Sequence, residues 1–208
     1  GQPVKMSKRT GKAISLTNLL DEIPVDAARY FFNSRPESPV EFDLALAIRQ
    51  DSENPVYYVQ YAHARIYTLL SALAAEGHPV PQRADAALLT HETERELIKQ
   101  LSALPGEIKL AARDYDPSRI NRYATELASR FHKFYNACRI KDAEENVLLA
   151  RLKLLSRSPL LSHELRTQTL QLFTQTENYT RLANLKAIEG DAILERVALE
   201  IGQTGIVF

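Results

Sequence analysis

The chain has 208 residues, of which 45% are hydrophobic and 25% are charged, a composition typical of an ordinary globular protein. This length allows one domain, or one domain with part of another, and the composition excludes a collagen, a disordered chain and a small disulfide scaffold. Lys and Arg together number 26, as do Asp and Glu, so a nucleic-acid partner has to be argued from local charge.

The N-terminal part predicts a basic loop followed by short connecting elements. Residues 1–18 carry four cations and no acid, with glycine and small hydroxyl residues between them, which is typical of a loop. Thr17 or Asn18 can cap a first short helix, and a second helix is predicted over residues 26–32. Residues 42–48 fit a strand or a helix by periodicity, and we favour a helix.

From Asn54 onward the sequence predicts a bundle of amphipathic helices. Asn54 and Pro55 give a capping residue followed by a proline that the first helical turn tolerates. A second long helix is expected to begin with a capping box at Thr93 and Glu96 and to be interrupted at Pro105. The apolar stripe of the first long helix recurs at spacings of three and four, and its members are Val56, Val59, His63, Ile66, Leu70 and Leu73.

Two further helices complete the predicted bundle. Asp116 and Pro117 repeat the start signal of the first long helix, and residues 142–155 predict another helix. Residues 165–173 and 191–201 also fit helices, so the expected fold class is mainly α. The apolar face of the helix after Pro117 comprises Ile120, Ala124, Leu127, Phe131, Phe134 and Cys138.

Residues 5–8 form the most specific short motif of the chain, Lys5-Met6-Ser7-Lys8. Two lysines on either side of a small hydroxyl residue, in a loop that contains glycine, can fold over a triphosphate. Lys8 is the candidate catalytic residue, because an ammonium on a flexible stem can follow the charge that develops on phosphate oxygens. The alternative interpretation is a solvated basic loop, since a motif of this length also occurs by chance.

The sequence around this motif resembles the KMSK-loop region of class I aminoacyl-tRNA synthetases, and specifically the arginyl-tRNA synthetases of bacterial type. The resemblance extends over residues 4–154 and includes segments similar to the helical anticodon-binding domain of that family. The segments that carry it are KMSKRTGK (5–12), LLDE (19–22), DAARYF (26–31), FDL (42–44), NPVYYVQYAHARI (54–66) and FHKFYN (131–136).

The resemblance implies a chain with two parts. Residues 1–50 would be the C-terminal end of a class I catalytic domain with its KMSK loop and connecting helices. Residues 51–208 would be a helical bundle that binds the anticodon stem-loop of arginine tRNA. Residues 156–208 depart from the family pattern, so no role is carried over to them.

The resemblance also implies an ATP-dependent ligase. In such an enzyme the carboxylate of arginine attacks the α-phosphate of ATP, and the arginyl group then passes to its tRNA. Lys5, Met6, Ser7 and Lys8 would bind ATP, with Mg²⁺ expected from the family, and Lys8 would steady the pyrophosphate leaving group. The parallel sheet and the His-Ile-Gly-His type of motif that such enzymes carry upstream are absent from this sequence, so we do not expect the chain to aminoacylate alone.

Aromatic and basic residues on the first long helix favour RNA binding independently of the resemblance. Tyr57, Tyr61 and Arg65 stand at positions i, i+4 and i+8 and therefore share one helix face. Unpaired bases are recognised by stacking on aromatic rings and guanidinium planes. The alternative is that both tyrosines only line the edge of the core, with their hydroxyls in water.

A second candidate surface lies on residues 119–141, which carry six cations and one acid, Glu126. This excess favours a face that follows phosphates. The alternative is a solvated face with Arg122–Glu126 and Glu126–Arg130 pairs, each contributing about 0.2–0.5 kcal/mol. His132 lies beside this face and could touch phosphate. The candidate RNA contacts from this region are Arg130, Lys133, Tyr135 and Asn136.

Other features of the sequence point to a cytoplasmic monomer without a metal site. Cys138 is the single cysteine, which excludes an intrachain disulfide and a cysteine-pair zinc site. The five histidines lack the partner spacing of metal ligands, and His63 is expected to be a hydrogen-bonded core residue. No apolar run approaches the roughly 20 residues that span a bilayer, and no signal-peptide core follows the basic start. Because the chain opens with Gly1 rather than Met, we expect a piece of a longer protein.

Two alternative functions remain open from the sequence. The first is a helical module that binds protein partners through its apolar stripes, which the neutral net charge favours. The second is the equivalent region of another class I synthetase, such as the cysteinyl enzyme, although residues 54–66 argue against it.

Overall fold

The computed structural model describes residues 15–35, 42–158 and 160, and the regular structure within these residues is entirely helical. This confirms the expected mainly α class. The motif at residues 5–8 and the helices expected at residues 165–173 and 191–201 lie outside the described residues. The seven α-helices described are α1 (Leu16–Glu22), α2 (Val25–Ser34), α3 (Leu44–Ile48), α4 (Pro55–Ala75), α5 (Glu92–Asp114), α6 (Ser118–Ala137) and α7 (Glu145–Ser156), with a short 3-10 helix (Ala86–Leu88) between α4 and α5.

Helices α1 to α3 build a small core of their own. The cap of α1 is Ser15, whose hydroxyl accepts a hydrogen bond from the Asn18 backbone N–H at 3.1 Å, so the expected cap at Thr17 or Asn18 was wrong by about one turn. Residues 42–48 are confirmed as helical at α3, whose cap is Asp43. The small core comprises Ile23, Ala27, Ala28, Ala47 and Val56.

Asn54 joins this small core to the long helix α4. It caps α4 as expected, because its side-chain oxygen accepts from the Val56 backbone N–H at 3.0 Å. The side-chain amide of Asn54 donates in addition to the carbonyls of Ala47 at 3.2 Å and Arg49 at 2.8 Å. Since Asn54 is buried, these three bonds satisfy its polar atoms and fix α3 against the start of α4. Gly77, at φ +96°, follows the other end of α4 and adopts a conformation that favours glycine.

Helix α5 differs from the expectation at its start and at its middle. Its capping box is formed by His91 and Glu94, whereas Thr93 and Glu96 were expected. The Glu94 carboxylate accepts from the His91 backbone N–H at 2.8 Å, and the His91 ring accepts from the Thr93 N–H at 3.2 Å. Histidine is not among the usual capping residues, which is why the pattern pointed two residues too far along the chain.

The interruption expected at Pro105 was also wrong, because α5 continues through it. A proline inside a helix removes one backbone hydrogen bond and costs about 3 kcal/mol. Leu104, just before the proline, and Ala111, further along the helix, are both buried. Helix α5 also packs along the length of α6. Tertiary packing on both sides of Pro105 therefore offsets the local cost.

Helix α6 lies at the centre of the main core and contacts α2, α4 and α5. Leu127, Phe131 and Phe134 of its expected apolar face are almost fully buried, and Cys138, at its C-terminal cap, is buried as well. Toward α2, Thr125 shares a hydrogen bond of 2.8 Å with the Tyr30 hydroxyl. The side chain of Asn121 donates to the Tyr30 carbonyl at 2.8 Å. The small core and the main bundle are thereby connected through one helix.

Candidate nucleic-acid interface

A row of stacked rings lies where α4 meets α6. Tyr57 and Tyr61 of α4 are stacked, with ring centroids 6.2 Å apart and an interplanar angle of 10°. The His132 ring of α6 continues the row, 5.7 Å from Tyr61 at an angle of 24°. The expected sharing of one face by Tyr57 and Tyr61 is thus confirmed as geometry. We call Tyr57, Tyr61 and His132 the ring row.

Arg65 lies at one end of the ring row, between two aromatic rings. Its guanidinium carbon is 3.8 Å from the Tyr135 ring centroid and 5.8 Å from that of Tyr61. A guanidinium at these distances is attracted by the ring faces, so the rings orient Arg65, which pairs with no carboxylate among the residues that the structure describes. The sequence placed Arg65 in line with the tyrosines of α4, and the structure adds that Tyr135 of α6 holds it.

His132 packs among aromatic rings, whereas the sequence placed it beside a cationic face that could touch phosphate. Its ring contacts those of Tyr58, at a centroid distance of 4.9 Å, and Phe131, at 5.2 Å. Burial, and after it the positive charge of Arg65, lower the pKa of His132, although an interaction with the Tyr58 backbone opposes this shift. A neutral imidazole in an aromatic cluster is a poor phosphate ligand and a good stacking platform. The i, i+3 spacing of His132 and Tyr135 places both rings on one face of α6. This spacing is the sequence signal that could have predicted the aromatic surroundings of His132.

The rings of this surface differ in their exposure. Tyr61 has 47% of its surface exposed, whereas Tyr57, Tyr135 and His132 are half-buried. The Nε2 atom of His132 is buried and has no hydrogen-bond partner within the described part of the chain. The surface therefore presents one exposed ring, Tyr61, next to the half-buried rings of Tyr57 and His132.

Lys133 follows His132 on α6, Asn136 lies about one turn beyond His132, and both are exposed. Lys133 forms no ion pair with any residue that the structure describes, so its charge is available to a ligand. Arg130, in contrast, pairs with Glu96 and, at 2.9 Å, with Glu126. On α6, therefore, Lys133 is exposed and has no ion pair among the described residues, whereas Arg130 is engaged by two carboxylates.

The positive charge of α6 is smaller at the surface than the sequence predicts. The expected Arg130–Glu126 pair is present, but Arg122 pairs with Asp116 at 3.3 Å where Glu126 was expected. Residues 119–141 contain only one acid, Glu126, but carboxylates outside that segment pair with its cations. The pairs that do so are Arg119 with Glu107, Asp114 and Asp116, Arg130 with Glu96, and Lys141 with Glu76.

The lowered pKa of His132 predicts a pH dependence of stability. The folded protein binds a proton at His132 less readily than the unfolded chain, whose histidine pKa is about 6.5. The contribution to stability is therefore fully present above about pH 6.5 and is lost as the pH falls toward the lowered folded value. We expect His132→Phe, which keeps a ring, to lose less stability than the wild type when urea unfolding is compared at about pH 7.5 and about pH 5.5. Equal losses in the two proteins would contradict the assignment.

Neither a metal-binding cluster nor a membrane-spanning helix is found among residues 15–35, 42–158 and 160. No group of three or more His, Cys, Asp or Glu side chains is arranged there to hold a metal ion. No helix in this part of the chain has the length and hydropathy to cross a membrane. His63 bonds through Nδ1 to the Leu160 carbonyl, which confirms that it is hydrogen-bonded.

The chain is similar to proteins of one kind. Residues 59–167 match the family described as DALR anticodon binding domain. An arginine–tRNA ligase of Acetivibrio thermocellus is 49% identical over 164 residues, which are 77% of this chain and 29% of that protein. An arginine–tRNA ligase of Caldanaerobacter subterraneus is 52% identical over 158 residues, which are 74% of this chain and 28% of that protein.

A solved structure also resembles this one. It is described as an arginyl-tRNA synthetase from Campylobacter jejuni, and it is 31% identical with a TM-score of 0.67. The similarity covers 83% of this chain and 36% of that chain. The chain thus spans less than a third of the length of the curated relatives named above.

Proposed function

Because this chain belongs to the family of DALR anticodon binding domains, we propose that it binds the anticodon stem-loop of arginine tRNA. The relatives that it matches at about half identity are arginine–tRNA ligases, which supports arginine tRNA over the substrate of a cysteinyl enzyme. The protein of which it forms a part would charge that tRNA.

The ring row is the observation that carries this proposal. Unpaired bases of an RNA loop stack on aromatic side chains, and each such contact is worth about 1–3 kcal/mol. Tyr61 has 47% of its surface exposed, and the neighbouring rings of Tyr57 and His132, with centroids 6.2 and 5.7 Å away, hold it in one orientation. Little side-chain entropy remains to be lost when a base binds, so the row is suited to take bases from a flexible loop.

The neighbouring polar groups would position the loop. Arg65, held over the Tyr135 ring, can stack on a base or contact a phosphate with its free N–H groups. Lys133 supplies an unpaired charge for a phosphate, and Asn136 supplies an amide that can bond to a base edge. Arg130 would contact RNA only by giving up one of its two carboxylate partners.

The N-terminal motif would serve the chemical step of the longer enzyme. By resemblance to class I synthetases, Lys5, Met6, Ser7 and Lys8 would bind ATP, the substrate that activates arginine, together with Mg²⁺. Lys8 would stabilise the charge that builds on the departing pyrophosphate. Residues 1–50 would then belong to the catalytic part and residues 51–208 to the anticodon-binding part, in a cytoplasmic monomer. Four of the five residues of the small core, all but Val56, lie within residues 1–50, which supports this division.

Tyr61→Ala tests the proposal directly. We expect the variant to bind a fluorescent arginine anticodon stem-loop about 5- to 100-fold more weakly than the wild type, because one base loses its platform. Fluorescence anisotropy on the 208-residue chain measures this affinity. Tyr67→Ala is the matched control, since Tyr67 lies on the same helix, is 62% exposed and stacks on His63 outside the ring row.

The control decides how the result is interpreted. Tyr67→Ala should leave the affinity unchanged within about twofold, because exposed residues remote from a contact contribute little. Equal affinities of the wild type and Tyr61→Ala for the stem-loop would overturn the proposal for the ring row. Equal affinities of the wild type for arginine and cysteine stem-loops would overturn the assignment to arginine tRNA.

A further inference from the structure

Helix α5 carries acidic and basic residues in nearly equal number but places them on different faces. Three of its five acids are turned toward neighbouring helices, where cations of α6 and α7 neutralise them. A fourth, Asp114, pairs with Arg113 and Arg119. The three acids that pair with other helices are Glu94 with Arg151, Glu96 with Arg130, and Glu107 with Arg119.

The basic residues of α5 remain on the solvent side. They recur with two small residues at spacings of four, three, four, three and four, which on an α-helix define a single line. Every member of this line is exposed, and Glu92 is the acid of α5 that borders it. We call this line the α5 basic face, and its members are Arg95, Lys99, Ser102, Gly106, Lys109 and Arg113.

Three of the four cations of the α5 basic face differ from the arginines of α6 that pair with carboxylates. Arg95, Lys99 and Lys109 form no ion pair within the part of the chain that the structure describes, and Arg113 is held by Asp114 at 2.7 Å. In a chain whose total charge is zero, this sorting leaves a local positive field on α5 that favours an anionic partner.

The shape of the α5 basic face indicates what kind of anion it fits. At 1.5 Å per residue, Lys99 and Lys109 are separated by about 15 Å along the helix, with Ser102 and Gly106 between them. A Cβ added at Gly106 would meet no atom within 4 Å, so the middle of the face is low and open. A face with cations at both ends and small residues in the middle can lie across a shallow groove. Its cations can then reach the phosphates on both edges of that groove.

Helix α5 contains no aromatic residue and therefore offers no aromatic ring on which a base could stack. Double-stranded RNA is recognised through its phosphates and 2′-hydroxyls across a wide, shallow minor groove, without stacking. We propose that the α5 basic face binds the backbone of a double-stranded RNA segment. This inference goes beyond the anticodon site, which would bind unpaired bases.

The two RNA surfaces lie on different sides of α6. Arg130 of α6 reaches Glu96 of α5, whereas His132 of α6 packs on Tyr58 of α4. Arg130 and His132 are two residues apart, which corresponds to about 200° of rotation around the helix axis. Helices α4 and α5 therefore flank α6 on opposite sides. A blunt RNA duplex without a loop can therefore report on the α5 basic face separately from the ring row.

The experiment measures binding of the 208-residue chain to a blunt, fluorescent RNA duplex of about 16 base pairs, the length that a double-stranded RNA-binding domain spans. The test variant is the double substitution Lys99→Gln and Lys109→Gln. We expect it to bind about tenfold more weakly and to reduce the slope of log K against log salt concentration by about two. The matched control, Arg29→Gln with Arg83→Gln, removes the same charge from exposed positions elsewhere and should leave the slope unchanged.

Three other outcomes overturn the inference, and a fourth bears only on the ring row. Equal losses in the test and control variants would mean that binding follows total charge rather than the α5 basic face. Equal competition by polyglutamate would indicate an acidic protein partner instead of RNA. Loss of duplex binding in Tyr61→Ala would mean that a single surface binds both RNA forms. Failure of the stem-loop to respond to Tyr61→Ala, with duplex binding intact, would contradict the ring row and leave the α5 basic face supported.

Discussion

Glu94→Ala is expected to destabilise the protein by about 3–5 kcal/mol, the cost of breaking a buried ion pair on one side. Glu94 is 1% exposed, and its carboxylate accepts from the Arg151 Nε at 2.7 Å. The same carboxylate closes the capping box of α5 through the His91 backbone N–H. Removing it leaves an uncompensated charge on Arg151, which has only 14% of its side chain exposed, and frees the first turn of α5. Urea unfolding followed by circular dichroism measures the loss.

Two further variants separate the parts of this effect. Glu92→Ala, in the same helical turn but exposed, should change the free energy of unfolding by less than about 0.5 kcal/mol. Glu94→Leu combined with Arg151→Met should recover much of the stability, because well-packed apolar residues often replace a buried ion pair without loss. A Glu94→Ala protein as stable as the Glu92→Ala protein would show that the ion pair contributes nothing.

Phe131→Ala is expected to cost about 3–5 kcal/mol, the range for emptying a buried aromatic site. Phe131 is 1% exposed in the main core, and its ring also contacts those of His132 at 5.2 Å and Tyr135 at 5.8 Å. The substitution removes the support beneath two rings of the candidate interface. We therefore expect thermal unfolding at a lower temperature, with weaker stem-loop binding even where the protein remains folded.

The control for Phe131→Ala is the same substitution at an exposed ring. Phe32 is 44% exposed, with its ring 5.5 Å from that of Phe42, so Phe32→Ala should cost less than about 1 kcal/mol. Phe131→Leu keeps most of the buried volume and should cost less than Phe131→Ala. If all three variants unfolded at the same temperature, the position of Phe131 in the core would be wrong.

Most of the fold could be predicted because local sequence signals mark where the helices begin. Asn54 with Pro55 and Asp116 with Pro117 each gave the start of a helix within one residue. The continuity of α5 through Pro105 could not be predicted, since it depends on burial against α6 rather than on local preference. The cap at His91 was missed because only the arrangement in space shows its ring accepting a backbone N–H.

The candidate interface could be predicted in part. The alignment of Tyr57 with Tyr61 follows from helical spacing alone, and the structure confirms it. The stacking of His132 on Tyr61 brings together residues from two helices, and no local pattern contains such a contact. The engagement of Arg130 by Glu96 is of the same kind. Charge counted along the sequence therefore overestimates the free positive charge of α6 and misses the unpaired charge of α5.

The contacts of α6 join residues at very different separations along the chain. This difference predicts the order in which the contacts form during folding. Tyr123 of α6 donates to the Gln100 carbonyl of α5 across 23 residues, whereas Thr125 meets Tyr30 of α2 across 95. Closing the larger loop costs more entropy, and contacts between neighbouring segments form sooner. The hairpin of α5 and α6 is therefore expected to form first, with α2 docking late. A ribosome would have released α6 before α2 could complete its packing.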